Sequence, residues 1–173
     1  MAPTTQRSRI LIIDDNPAIH DDFRKILIPD AAPSPALREA AAALFERVPP
    51  PPMQPAYDID CVLRGQDGVE LVRQALDEGR PYALAYVDMR MPNGWNGLET
   101  TRRLWQMAPT LRVVLCTAYS DFSWHEIREE LRHSDRFLIL KKPFDNIEVE
   151  QLTLSLSVQA RMEVEYFGLQ GAP

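Results

Sequence analysis

Two acidic residues in succession, Asp14-Asp15, follow the apolar run Ile10-Leu11-Ile12-Ile13, and a third, Asp88, follows the run from Tyr82 to Val87. Thr117 closes the run Leu111 to Cys116, and Lys142 comes after the run Arg136 to Leu140. These residue types together suit phosphoryl transfer. Carboxylates gathered at one place repel one another, and a hard divalent cation such as Mg2+, which takes carboxylate, carbonyl and water oxygens, resolves that repulsion. A lysine ammonium and a threonine hydroxyl can neutralise the equatorial oxygens of a transferring phosphoryl group. One carboxylate can then act as nucleophile and form an acyl phosphate. Taken singly the residues say little. An acidic pair after a strand is often a helix cap that favours the macrodipole, and Lys141-Lys142 alone reads as a solvated pair. The weight lies in their order, each at the end of a different apolar run.

Those runs read as strands, and amphipathic stretches between them read as helices. Ile10 to Ile13 is dense in β-branched residues and stops abruptly at Asp14. Asn16-Pro17 then reads as an N-cap followed by proline at the first helical position, with Ile19, Phe23, Ile26 and Leu27 on one face. Ile59 to Leu63 is the second strand, and the helix after it turns Val69, Val72 and Leu76 inward. Tyr82 to Val87 is the third strand, and Leu98 to Met107 the third helix, opened by Asn96-Gly97. Leu111 to Cys116 is the fourth strand. Ser123 with Glu126 has capping-box spacing, so a helix is expected from Trp124 towards Leu131. Arg136 to Leu140 is the fifth strand. Asp145 and Glu148 repeat the capping spacing for a last helix that turns Val149, Leu152 and Leu156 inward.

Five strands alternating with helices predict an α/β fold, a doubly wound five-stranded parallel sheet covered on both faces. The economical order with right-handed crossovers is 2-1-3-4-5. Ligands in such folds bind at the carboxyl ends of the strands, near the switch in strand order. That is where Asp14, Asp15, Asp88, Thr117 and Lys142 should meet.

The stretches Ile10-Leu11-Ile12-Ile13-Asp14-Asp15-Asn16, Val87-Asp88-Met89-Arg90-Met91-Pro92, Cys116-Thr117-Ala118 and Lys142-Pro143-Phe144 resemble the signature blocks of bacterial two-component response-regulator receivers. The resemblance spans about residues 8 to 160. It implies the flavodoxin-like receiver fold, with Asp88 as phosphoacceptor and Asp14 with Asp15 as the acidic pair. Asp15 and Asp88 would ligate Mg2+, joined by the backbone carbonyl of Arg90, while Thr117 and Lys142 would contact the phosphoryl group. It further implies a cis peptide at Lys142-Pro143, consistent with the small cis penalty before proline. The donor would be a sensor histidine kinase or a histidine phosphotransfer protein, and the chain would be a signalling receiver rather than an enzyme acting on other substrates. Lys142 is preferred to Lys141 because it immediately precedes the proline. One departure concerns the aromatic switch residue that receivers usually place three positions before the lysine. Ile139 stands there, and the nearest aromatic is Phe137.

Rival readings fit less well. A Mg2+-dependent phosphohydrolase with an aspartyl nucleophile would place a second acid two residues on, where this chain has Arg90. A dinucleotide site needs a glycine-rich turn after the first strand, and Asp14-Asp15-Asn16-Pro17 would repel a pyrophosphate. Arg90 and Tyr119 flank the expected approach of water to Asp88 and are long enough to screen an acyl phosphate. The loop Met91 to Gly97 carries two glycines and two asparagines, which suits a tight turn with positive φ. Within it Trp95 is read as packing against the third helix.

The 173 residues fit one domain, and a formal charge of −6 argues against a surface built for nucleic acid or an anionic membrane. No apolar run reaches the ~20 residues of a membrane helix, and the start Met1 to Arg7 has no apolar core of a secretory signal. Cys61 and Cys116, both in apolar runs, read as reduced core thiols of a cytoplasmic protein. Eight of the fifteen prolines lie between Pro29 and Pro55. This marks an insertion over 29–57 between the first helix and the second strand, with a short helix possible over 37–48. The receiver-like part is bounded at 8–160, with 161–173 as a helical extension or tail. A last helix from Asn146 to about Phe167 would span about 33 Å at 1.5 Å per residue. Val158, Met162, Val164 and Phe167 would then lie beyond the sheet and need a partner, a second copy or a downstream output domain.

Overall fold

A computed structural model describes residues 7–28, 56–118, 123–132 and 135–170, without the side chains of Trp124 and residues 167–170. The expected insertion core, its possible helix over 37–48, Tyr119 and residues 171–173 lie outside the described residues. The elements run β1 (Ser8–Ile13), α1 (Pro17–Leu27), β2 (Tyr57–Val62), α2 (Gly65–Asp77), β3 (Leu84–Asp88), α3 (Gly97–Met107), β4 (Arg112–Thr117), α4 (Trp124–Glu130), β5 (Phe137–Lys141) and α5 (Asn146–Gln170). All strand pairs are parallel, in the order β2-β1-β3-β4-β5. The α/β fold and its strand order are as the alternation predicts.

Burial follows from that order. β1, β3 and β4 lie inside the sheet, so both faces of each are covered, and alternate residues feed two separate cores. Leu11, Ile13, Ala85, Val87, Val113 and Leu115 point to the α2–α3–α4 side. Ile10, Ile12, Leu84, Tyr86, Val114 and Cys116 point to the α1–α5 side. Each fully buried Ile, Leu or Val contributes roughly 1.5–3 kcal/mol, so the carboxyl ends of these strands are the least deformable places on which to mount a site. Across the edge, Asp88 lies opposite Cys116 and Thr117 opposite Lys141.

Local capping sets where the helices begin. The Asn16 side chain accepts from the Ala18 N–H with Pro17 in the first turn, and Asn96 accepts from the Glu99 N–H. Ser123 and Glu126 form both halves of the capping box. Three expectations are corrected. β2 starts at Tyr57, so Tyr57 belongs to the sheet and not to the insertion, while Leu63 lies past its end and is exposed. On α2 the inward residues are Gly68, Val72 and Ala75, with Val69 at the margin and Leu76 exposed. Gly68 allows this rotation, because a Cβ there would lie 2.3 Å from Ile13 Cδ1. The turn before α3 holds no positive φ, and among the described residues only Gly79 has one, at 66°. Gly97 is instead required by space: its Cβ would lie 2.6 Å from the Asp88 carbonyl oxygen and 2.9 Å from Met89 Cα.

α5 is one continuous helix across the boundary expected at residue 160. Tyr86 from β3 is hydrogen-bonded to Thr153 at 2.7 Å, and Val149 and Leu156 are buried. Glu163 pairs with Arg112 at the start of β4, so the helix still touches the domain there. Met162, Val164 and Tyr166 are exposed, whereas Val158 is half-buried.

Candidate functional site

Strand ends bring four of the five expected side chains to one edge. β1 delivers Asp14 and β3 delivers Asp88, both buried. Lys142 follows β5, and its Nζ donates to Asp14 Oδ2 at 2.6 Å and to Asp88 Oδ1 at 2.7 Å. Backbone bonds hold these ends in register. The Lys142 N–H donates to the Thr117 carbonyl at 2.8 Å, the Met89 N–H to Cys116 at 2.9 Å, and the Asp14 N–H to Val62 at 3.1 Å. Thr117 is buried beside them, with Oγ1 donating to the Ala118 carbonyl at 3.0 Å. The Lys142-Pro143 peptide is cis. Lys141, by contrast, is exposed.

The remaining oxygens are partly committed. Asp14 Oδ1 accepts from the Asn16 N–H and Asp88 Oδ2 from the Arg90 N–H, each at 2.9 Å. Asp15 is exposed and makes no hydrogen bond or ion pair among the described residues. The three acids therefore do not form one cluster: Lys142 bridges two, and the third stands at the lip. No three acidic, histidine or cysteine side chains among the described residues gather as a ready-made metal cage.

Electrostatics keep the bridge charged but unbalanced. Burial draws the Lys142 ammonium down, yet its hydrogen bonds to Asp14 and Asp88 outweigh that and hold its pKa above the ordinary value. Burial pushes Asp88 up, Lys142 pulls it back, and the charge of Asp14 pushes again, leaving its pKa raised. One cation serves two buried anions.

One supporting residue, His20, escaped the sequence reading, and the steric role of Gly97 escaped with it. His20 on α1 is buried, with Nε2 2.8 Å from the Asp14 carbonyl oxygen. Its only sequence signal was a polar residue on the face shared with Phe23 and Leu27. Gly97 lets the start of α3 abut the Asp88-Met89 backbone. Trp95 packs against α3, with the Arg103 guanidinium 4.6 Å from its ring centre. Ile139 is half-buried against the α2–α3–α4 core, and Phe137 packs on Trp105, so neither stands in for an aromatic at the site edge. Arg90 is exposed.

No family model matches the chain, and no curated protein matches it. Solved structures do. The response regulator receiver domain protein (CheY-like) from Methanospirillum hungatei JF-1 superposes with a TM-score of 0.63 at 18% identity, over 91% of this chain and 99% of that one. The fold is the receiver fold. A structure described as adenylate cyclase from Rhodopirellula baltica gives a TM-score of 0.70 at 17% identity, over 97% of this chain and 100% of that one. NtrX from Brucella abortus, solved in complex with ADP, gives 0.63 at 14% identity over 97% of this chain and 31% of that one. Receiver-fold chains thus occur both at this length and within longer proteins. Among the described residues no helix is long and apolar enough to cross a membrane.

Proposed function

We propose that this chain is a phosphoacceptor receiver that takes a phosphoryl group onto Asp88 from a sensor histidine kinase or a histidine phosphotransfer protein. The observation that carries the reading is the Lys142 bridge, which joins Asp88 to Asp14 at the carboxyl edge, with the buried Thr117 ending β4 and its carbonyl accepting from the Lys142 N–H. An Asp88 oxygen attacks phosphorus while the bond from phosphorus to the donor nitrogen breaks, leaving an acyl phosphate. Lys142 gains an anionic phosphoryl oxygen as partner, and Thr117 supplies a hydroxyl donor to another.

The donor set fits Mg2+. Among the described residues Asp15 offers an uncommitted carboxylate and Asp88 Oδ2 carries one hydrogen bond, and the Arg90 carbonyl belongs to the residue whose N–H reaches Asp88. Two carboxylates, a carbonyl and waters are the ligands such a hard cation takes. When bound, the ion would offset the charge gathered at the reacting oxygens. A phosphohydrolase reading gains no second acid from residue 90.

Intact mass in Mg2+ with acetyl phosphate tests the proposal. The wild type should gain one phosphoryl group and Asp88→Asn none. A label that persists in the variant and maps elsewhere overturns the assignment.

A further inference from the structure

We propose that His20 is a positioning residue of this site, fixing the peptide that joins Asp14 to Asp15 and thereby aiming Asp15 at its cation. The inference deepens the receiver reading and rests on it.

The geometry starts from the ring. His20 is buried on the sheet-facing side of α1, and its Nε2 lies 2.8 Å from the Asp14 carbonyl oxygen. A carbonyl oxygen only accepts, so Nε2 must carry the proton and donate. That carbonyl is half of the Asp14-Asp15 peptide. The peptide is planar, so holding its oxygen sets the direction in which the chain leaves towards Asp15.

Asp14 is otherwise fixed through its side chain, by the Asn16 N–H at Oδ1 and by Lys142 at Oδ2. Asp15 has no such hold: it is exposed and makes no hydrogen bond or ion pair among the described residues. Its position depends on the backbone around it, and His20 is, among the described residues, the side chain bonded to the carbonyl of the peptide that leads into it. Packing alone does not call for histidine at this place. The neighbouring inward residues of α1 are Phe23, Ile26 and Leu27, and an apolar side chain would fill the same face. A buried polar group persists when its hydrogen bond is satisfied, and here the satisfied bond ends on the site.

Calorimetric titration of the full chain with Mg2+ alone, in the absence of phosphodonor, tests the role directly. His20→Leu keeps the bulk and removes the donor; His20→Gln keeps a donor. Binding should weaken about three- to tenfold in His20→Leu, the effect of losing one hydrogen bond, and stay within about twofold of wild type in His20→Gln. Nitrogen-detected NMR of the wild-type ring should place the proton on Nε2. Unchanged Mg2+ affinity in a folded His20→Leu protein, or a ring protonated only at Nδ1, overturns the proposal. Should His20→Leu fail to fold, the ring proton decides. A wild type that binds Mg2+ with the expected dependence on His20, yet takes no phosphoryl group, refutes the receiver reading and leaves the positioning role standing. A wild type that binds no Mg2+ overturns both.

Discussion

Towards the amino end of β1, Arg9 donates to Asp60 and to the Tyr82 hydroxyl, both at 2.9 Å, and Tyr82 donates in turn to Asp60 at 2.6 Å. The Arg9 guanidinium also lies 4.3 Å from the Tyr82 ring centre. At the carboxyl edge Lys142 faces Asp14 and Asp88. Burial pushes both Asp60 and Asp88 towards the neutral form. At Asp60 the Tyr82 and Arg9 bonds win, and the carboxyl sits below its usual range. At Asp88 burial and the charge of Asp14 outweigh Lys142, and the carboxyl sits above it. One network closes on itself with a single cation for a single anion. The other leaves negative charge over, which a structural tie would avoid and a cation or phosphoryl site uses.

The largest test removes the cations. Lys142→Met strands two buried carboxylates and should cost about 3 kcal/mol in urea unfolding at neutral pH without Mg2+. Arg9→Met should cost about half that, because the Asp60 side chain is 41% exposed and water replaces part of the loss. Equal costs would erase the distinction between the two ends.

Neutralising the acids should give opposite signs. Asp60→Asn loses a charge-assisted bond and should cost on the order of 1 kcal/mol. Asp88→Asn removes a carboxylate that its surroundings hold towards the neutral form, so the melting midpoint without Mg2+ should rise. Two destabilised variants would show that Asp88 is as well paired as Asp60.

Acid titration sharpens this further. Asp60, with its pKa depressed from 3.8, contributes stability above that value and loses it as pH falls through the folded-state pKa. Asp88, with its pKa raised from 3.8, works the other way: stability is lost as pH rises from 3.8 through the folded-state pKa. Melting scans from pH 7 to 3 should therefore see the gap between Asp88→Asn and wild type close first, and that between Asp60→Asn and wild type only at lower pH. The reverse order contradicts both assignments.

The smallest effect belongs to the exposed rim of the amino-end network. Arg80 reaches Asp58 only at 3.5 Å, with both side chains well exposed. Arg80→Ala should change unfolding stability by no more than about 0.5 kcal/mol. A larger loss would extend the closed network beyond Arg9, Asp60 and Tyr82.

Much of this was legible in the chain. The runs ending at Ile13, Val87 and Cys116 read as strands because a parallel sheet buries both faces, which leaves continuous apolar stretches bounded by polar residues. Asn16-Pro17 and Ser123 with Glu126 marked helix starts, since capping is local and its partners lie within four residues. Asp14, Asp15, Asp88, Thr117 and Lys142 could be chosen because each strand end falls at the same edge. Other features had no local signature. Periodicity alone cannot choose between Ala75 and Leu76, which stand at i+3 and i+4 from Val72 and so flank it on the helical wheel; the seating of Gly68 on Ile13 chose. Gly97 looked like a turn glycine until the Asp88 carbonyl stood where its Cβ would be. His20 looked like a stray polar residue because its role depends on where α1 lies over the turn. Likewise, sequence could nominate Lys142 but could not say that it would bridge Asp14, 128 residues away, and Asp88, 54 away, while Asp15 stood apart. Spacing along the chain determined which residues reached the edge; packing of the helices against the sheet decided which of them touch.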